Sequence, residues 1–87
     1  MHTYANFWPK EGNVTTEVTL TFDFKVKRIA IINDSVTTPL NFKFHAGETY
    51  GTIGVAEQIA MDINTRTVVI KSQDGVTSVP YRVWGIG

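Results

Sequence analysis

Between Val18 and Val26 the chain alternates strictly: Val18, Leu20, Phe22, Phe24 and Val26 are apolar, and Thr19, Thr21, Asp23 and Lys25 between them are polar. A period of two over nine residues puts one face against a core and the other in water, as in a half-buried antiparallel strand. A helix cannot use that pattern, because its apolar stripe repeats every three to four residues. At Lys27-Arg28 the phase slips, and Ile29-Ala30-Ile31-Ile32 follows as a continuous apolar run. Such a run belongs to a strand covered on both faces, or to one that resumes after a bulge or bend.

The rest of the chain repeats the theme in short pieces. Asn33 to Pro39 holds the residues of a loop. Leu40, Phe42 and Phe44 alternate with Asn41, Lys43 and His45, and Ala46-Gly47-Glu48 makes a turn. Thr49 to Val55 reads as a weak strand interrupted by Gly51 and Gly54, with Tyr50 and Ile53 as its core residues. Ala56 to Ile63 suits a short helix or a strand, and strand is preferred because the segment is short and its neighbours are strands. Asn64-Thr65 is expected to turn the chain, Arg66 to Ser72 to form a strand, and Asp74-Gly75 to mark a hairpin. Val79 to Ile86 forms the last strand. The expected fold is all-β: a small antiparallel β-sandwich or barrel of six to seven strands over residues 14–87. Residues 1–13, with Pro9 and Gly12 breaking any period, are expected to form an extended N-terminal arm.

With 87 residues the chain is one domain by length, and its stability is modest for that size. It has no cysteine, so neither disulfides nor a thiolate metal site is available. Eight basic and eight acidic residues give a net charge of +0, unlike the basic surface that general nucleic-acid binding needs. No basic-then-apolar leader and no apolar run of membrane-spanning length is present, so neither secretion nor membrane insertion is expected.

Catalysis needs acids, bases or nucleophiles that converge. Asp23, Asp34, Asp62 and Asp74 are scattered over separate strands and turns, and two histidines are too few for a metal site on their own. Gly47, Gly51 and Gly54 lack the following Lys-Ser/Thr of a phosphate loop. The expectation is a non-enzymatic protein without cofactor, metal or small-molecule ligand. The aromatic residues point instead to contact. Tyr4, Phe7 and Trp8 precede the first regular pattern, where no second face exists to bury them. In the last strand, alternation puts Tyr81 and Val83 on the core side and Arg82 and Trp84 on the other. No polar tail follows in the sequence to cover that second face. Tyr4, Phe7, Trp8, Arg82 and Trp84 are therefore the candidate partner interface.

From Lys27 to Gly87 the chain resembles small all-β virion structural proteins of tailed bacteriophages. The likeness is carried by Ile29-Ala30-Ile31-Ile32-Asn33-Asp34-Ser35, the Gly47-Glu48 turn, Ile59 to Ile63, Val68-Val69-Ile70-Lys71-Ser72 and the closing Pro80-Tyr81-Arg82-Val83-Trp84-Gly85-Ile86-Gly87. It implies a capsid, neck or tail accessory subunit, made in the host bacterial cytoplasm and located in the virion. Its expected partners are other virion proteins and copies of itself. A carbohydrate- or receptor-binding β module is the alternative.

Overall fold

The computed structural model describes residues 7–87. Its six strands are β1 (Phe7–Val14), β2 (Val18–Asn33), β3 (Leu40–Lys43), β4 (Gly51–Ile53), β5 (Gln58–Ser72) and β6 (Val79–Ile86). All pairings are antiparallel, in the order β1-β6-β2-β5-β3-β4. Among the described residues there is no helix.

Two long strands turn this one sheet into two layers. The first half of β2, Val18–Thr21, pairs with Ile70–Thr67 of β5, and the second half, Arg28–Ile32, pairs with Asp62–Gln58. Between the halves the register shifts twice, with the pair Val26 and Thr65 alone in the middle. Bulges bend a strand and sharpen its twist, so the β2–β5 ribbon folds over. One layer is β1-β6-β2-β5, built on the second half of β2. The other is β2-β5-β3-β4, built on the first half. The phase slip at Lys27-Arg28 is the sequence trace of this bend. On β5 the bend replaces the expected turn at Asn64-Thr65, and the strand runs unbroken from Gln58 to Ser72. Thr65 makes that possible. Its buried hydroxyl accepts from Thr67 N at 3.2 Å and lies 2.9 Å from Thr67 O, so local side-chain bonding replaces ladder bonds.

The core lies between the layers. Leu20, Phe22, Val26, Ile29, Ile31, Leu40, Ile53, Val68, Ile70, Val79, Tyr81 and Val83 are all buried. Packing is tight where β6 crosses under β2: a Cβ on Gly85 would stand 2.7 Å from the Phe22 ring and 2.9 Å from Val26. Only glycine fits there.

The arm expected over residues 1–13 is corrected from Phe7 onward. Phe7–Val14 pairs with the whole of β6, Phe7 opposite Ile86 through Val14 opposite Val79. Pro9 and Gly12 do not break this strand, for two reasons. Proline lacks an N–H but is tolerated on an edge strand where that position faces solvent, and β1 is an edge. A Cβ at Gly12 would lie 3.1 Å from the Tyr81 hydroxyl, so the missing side chain lets Tyr81 lie flat beneath β1.

Loops at both ends of β3 are fastened by carboxylates. Asp74 accepts from Ser72 Oγ (2.8 Å), Val76 N (2.9 Å), Thr77 N (2.8 Å) and Thr77 Oγ1 (2.6 Å), which hold its pKa far below the usual range. Arg82 lowers that of Asp34, and the Phe44 and His45 amides lower that of Glu48. A carboxyl whose folded pKa is depressed stabilises the fold above its unfolded pKa, about 3.9 for Asp and 4.3 for Glu, and loses that contribution as pH falls through the folded value. Thermal melts should therefore be flat from pH 7 to about 5 and then fall steadily toward pH 2. Asp74→Asn should melt lower at pH 7 and show a shallower acid fall than the parent.

Candidate functional site

The outer face of the layer β1-β6-β2-β5 gathers the chain's exposed aromatic surface. Register arranges it in rows across four strands. Phe7, Ile86, Arg28 and Asp62 form one row, and Pro9, Trp84, Ala30 and Ala60 the next. Glu11, Arg82, Ile32 and Gln58 form the third. Phe7 is 57% exposed and Trp84 42%, high values for rings of that size in a packed sheet. This face also explains the apolar run Ile29–Ile32. Ile29 and Ile31 point into the core at 1% and 0% exposure, while Ala30 and Ile32 belong to the outer face, where Ala30 is half-buried and Ile32 is buried at 8%. A strand apolar on both faces is normally covered on both.

Charge sits at the margins: both arginines are paired, and Glu11 makes no ion pair among the described residues. Arg28 Nη1 meets Asp62 Oδ1 at 2.7 Å. Arg82 grips Asp34 with two bonds, Nε to Oδ2 at 2.8 Å and Nη2 to Oδ1 at 2.9 Å. That fork holds the Asp34 carboxyl below its usual pKa and raises the Arg82 guanidinium's. A shallow groove lined by Pro9, Lys10, Glu11 and Trp84 runs beside the indole. A second, more polar one is lined by Glu11, Asn13, Asp34, Tyr81 and Arg82.

Of the five residues singled out in the sequence, the structure brings Phe7, Arg82 and Trp84 together on this face. The split of the last strand is as expected: Tyr81 and Val83 are buried at 7% and 0%, with Arg82 and Trp84 opposite. Trp8 is corrected. Once Phe7 starts a strand, its neighbour must point the other way, and Trp8 packs edge-on against Phe22 at 6.3 Å on the core side. Tyr4 lies outside the described residues. Pro9, Ala30, Ala60 and Ile86 were missed. The signal that could have found them is the run Ile29–Ile32, whose outward members make the second face of β2 apolar as well.

Other surfaces differ. On the outside of the second layer Tyr50, expected in the core, lies under Lys43 (4.3 Å) and Lys71 (5.3 Å) and donates its hydroxyl to the Glu17 carboxylate. That face carries Glu17, Lys43 and Lys71, with Lys43 Nζ 3.5 Å from the Glu17 carboxylate. Val36 and Val76 are exposed at two loop tips, as scattered single apolar residues commonly are. Among the described residues no three His, Asp or Glu side chains gather as a metal ion would require. The space between the layers is filled by apolar side chains.

No family model matches the chain, and no curated protein sequence matches it. Solved structures do. A cupin-2 domain containing protein from Shewanella frigidimarina NCIMB 400 superposes with a TM-score of 0.59 at 11% identity, over 99% of this chain and 76% of that one. A de novo designed double-stranded β-helix superposes with a TM-score of 0.57 at 15% identity, over 93% of this chain and 99% of that one. The fold is a double-stranded β-helix. At such identities the likeness concerns architecture, and function has to be argued from the surface.

Proposed function

We propose that this chain is a non-enzymatic structural subunit that binds other proteins through the outer face of β1-β6-β2-β5. The observation that carries the reading is the contrast between surfaces: this face is apolar and aromatic with its arginines paired at the margin, and the opposite one carries Glu17, Lys43 and Lys71. Exposed aromatic patches rimmed by polar residues mark protein contacts. The resemblance in residues 27–87 supports a tailed-phage virion as the larger assembly, with the chain as a decoration, adaptor or tail and neck accessory protein beside other virion proteins.

A second reading is supported by the groove at Trp84. An indole beside Glu11, with the Arg82–Asp34 pair close by, offers a stacking face and polar groups of the kind a saccharide uses. One variant separates the two. Trp84→Ala removes an exposed ring from an outer face, so its melting temperature should stay within about 3 °C of the parent. Incorporation of the tagged variant into particles, or its co-purification with virion proteins, should be lost. Normal incorporation combined with lost binding to a glycan panel would replace the structural reading with the saccharide one. Normal behaviour in both assays would remove the face from function.

A further inference from the structure

We infer that the occupant of this face is a second copy of the chain, packed face to face about a two-fold axis parallel to the strands. The inference rests on the reading of this face as a contact surface and adds the partner's identity. The relief of the central row carries it. Pro9 and Trp84 stand on β1 and β6, and on the same row Ala30 and Ala60 leave a trough on β2 and β5. Knob and trough thus lie side by side on one surface. A two-fold along the strands lays β6 on the partner's β2 and β1 on the partner's β5. Trp84 then enters the trough at the partner's Ala30, Pro9 covers the partner's Ala60, and the same contacts recur on the other side, as an isologous interface requires. An axis across the strands would instead stack indole on indole and leave alanine facing alanine over a void.

Charge agrees with the first arrangement. It sets Ile86 against the partner's Arg28, Phe7 against the partner's Asp62, and Arg82 against the partner's Ile32. No like charges meet, and each arginine keeps its own carboxylate, at 2.7 and 2.8 Å. A net charge of +0 adds no long-range repulsion between copies. Pairing through the free edge of β1 is disfavoured, because Pro9 removes a donor from it. Four strands of this length present a face about 19 Å by 25 Å, so two faces hide roughly 1,000 Å², the lower end for a specific interface.

Sedimentation velocity from about 1 to 500 μM should show a monomer–dimer equilibrium in the micromolar range. Ala60→Arg fills the trough at an exposed position, so it should melt like the parent and weaken dimerisation about tenfold or more. The absence of cysteine permits a direct test of register. Pro9→Cys and Ala60→Cys chains, mixed and treated with a short bismaleimide, should cross-link to each other in preference to themselves. A chain that stays monomeric throughout, a dimer indifferent to Ala60→Arg, or preferential Pro9→Cys self-linkage would each overturn the inference. A monomer whose Trp84→Ala variant still loses its virion partners would reject the second copy and keep the contact face. A monomer whose Trp84→Ala variant keeps them would reject both.

Discussion

Asn33→Ala should cost about 3–5 kcal/mol, a large part of the 5–15 kcal/mol that holds a small domain together. Asn33 is 1% exposed at the end of β2. Its amide nitrogen donates toward Thr38 O (3.0 Å), Gly54 O (3.1 Å) and Ile53 O (3.2 Å), and its Oδ1 accepts from Ser35 N (2.9 Å). One side chain thus joins the loop after β2, strand β4 and the turn before β5. Truncation takes a donor from Thr38 O and Ile53 O and the acceptor from Ser35 N, each worth about 1–3 kcal/mol if it stays dry, while Gly54 O keeps its bond from Glu57 N at 3.1 Å. Asn33→Asp separates the polar effect from the volume effect. It keeps the shape and the acceptor for Ser35, but a carboxylate cannot donate to three carbonyls, so at pH 7 it should be at least as damaging as alanine. Urea titrations measure both. A loss under about 1 kcal/mol for either variant would show that Thr38 O and Ile53 O find other donors.

What could be read from the chain follows from how local each cause is. The strand from Val18 to Val26 is legible because one face is buried along its length. The bend at Lys27-Arg28 is legible because a bulge reverses the phase. Three elements escaped for physical reasons. β1 was hidden because Pro9 and Gly12 break strands in general; they are tolerated here by an edge that faces solvent and by a Tyr81 ring that fills the place of a side chain. The continuity of β5 was hidden because Asn64-Thr65 reads as a turn, and the Thr65 hydroxyl that allows a bend matters only once Thr67 lies within reach. Tyr50 was placed in the core because it is aromatic and sits in a short strand pattern. Its position under Lys43 and Lys71 depends on charges seven and twenty-one residues away in the sequence, which no local period records. The proposed contact face was half legible. Arg82 and Trp84 follow from alternation alone, whereas the trough at Ala30 and Ala60 needs the register between β2 and β5.

Two truncations should differ sharply. Removing residues 1–6 takes away none of the contacts described from Phe7 onward, so the melting temperature should stay within about 3 °C of the parent. Removing residues 1–13 takes away nearly all of β1. The ladder along β6 is lost on one side, and each of its hydrogen bonds is worth about 1 kcal/mol. The half-buried Trp8 leaves Phe22, and at about 25 cal/mol per Å² the loss of half an indole's 150–250 Å² adds roughly 2–3 kcal/mol. Val14, itself buried, loses the strand that positions it, and Tyr81 and Val83 come to the surface of a new edge. Together these losses approach the whole stability of a domain this small. The shorter chain should show no cooperative melt at 25 °C and above, read by circular dichroism near 215 nm and by dispersion of amide proton shifts. A folded 14–87 fragment would mean that β1 is an appendage after all, as the sequence first suggested. The 7–87 chain has a second use. If it melts normally yet fails to enter particles, the contact expected at Tyr4 lies in the removed segment; if it enters them normally, the face bearing Phe7 and Trp84 is sufficient.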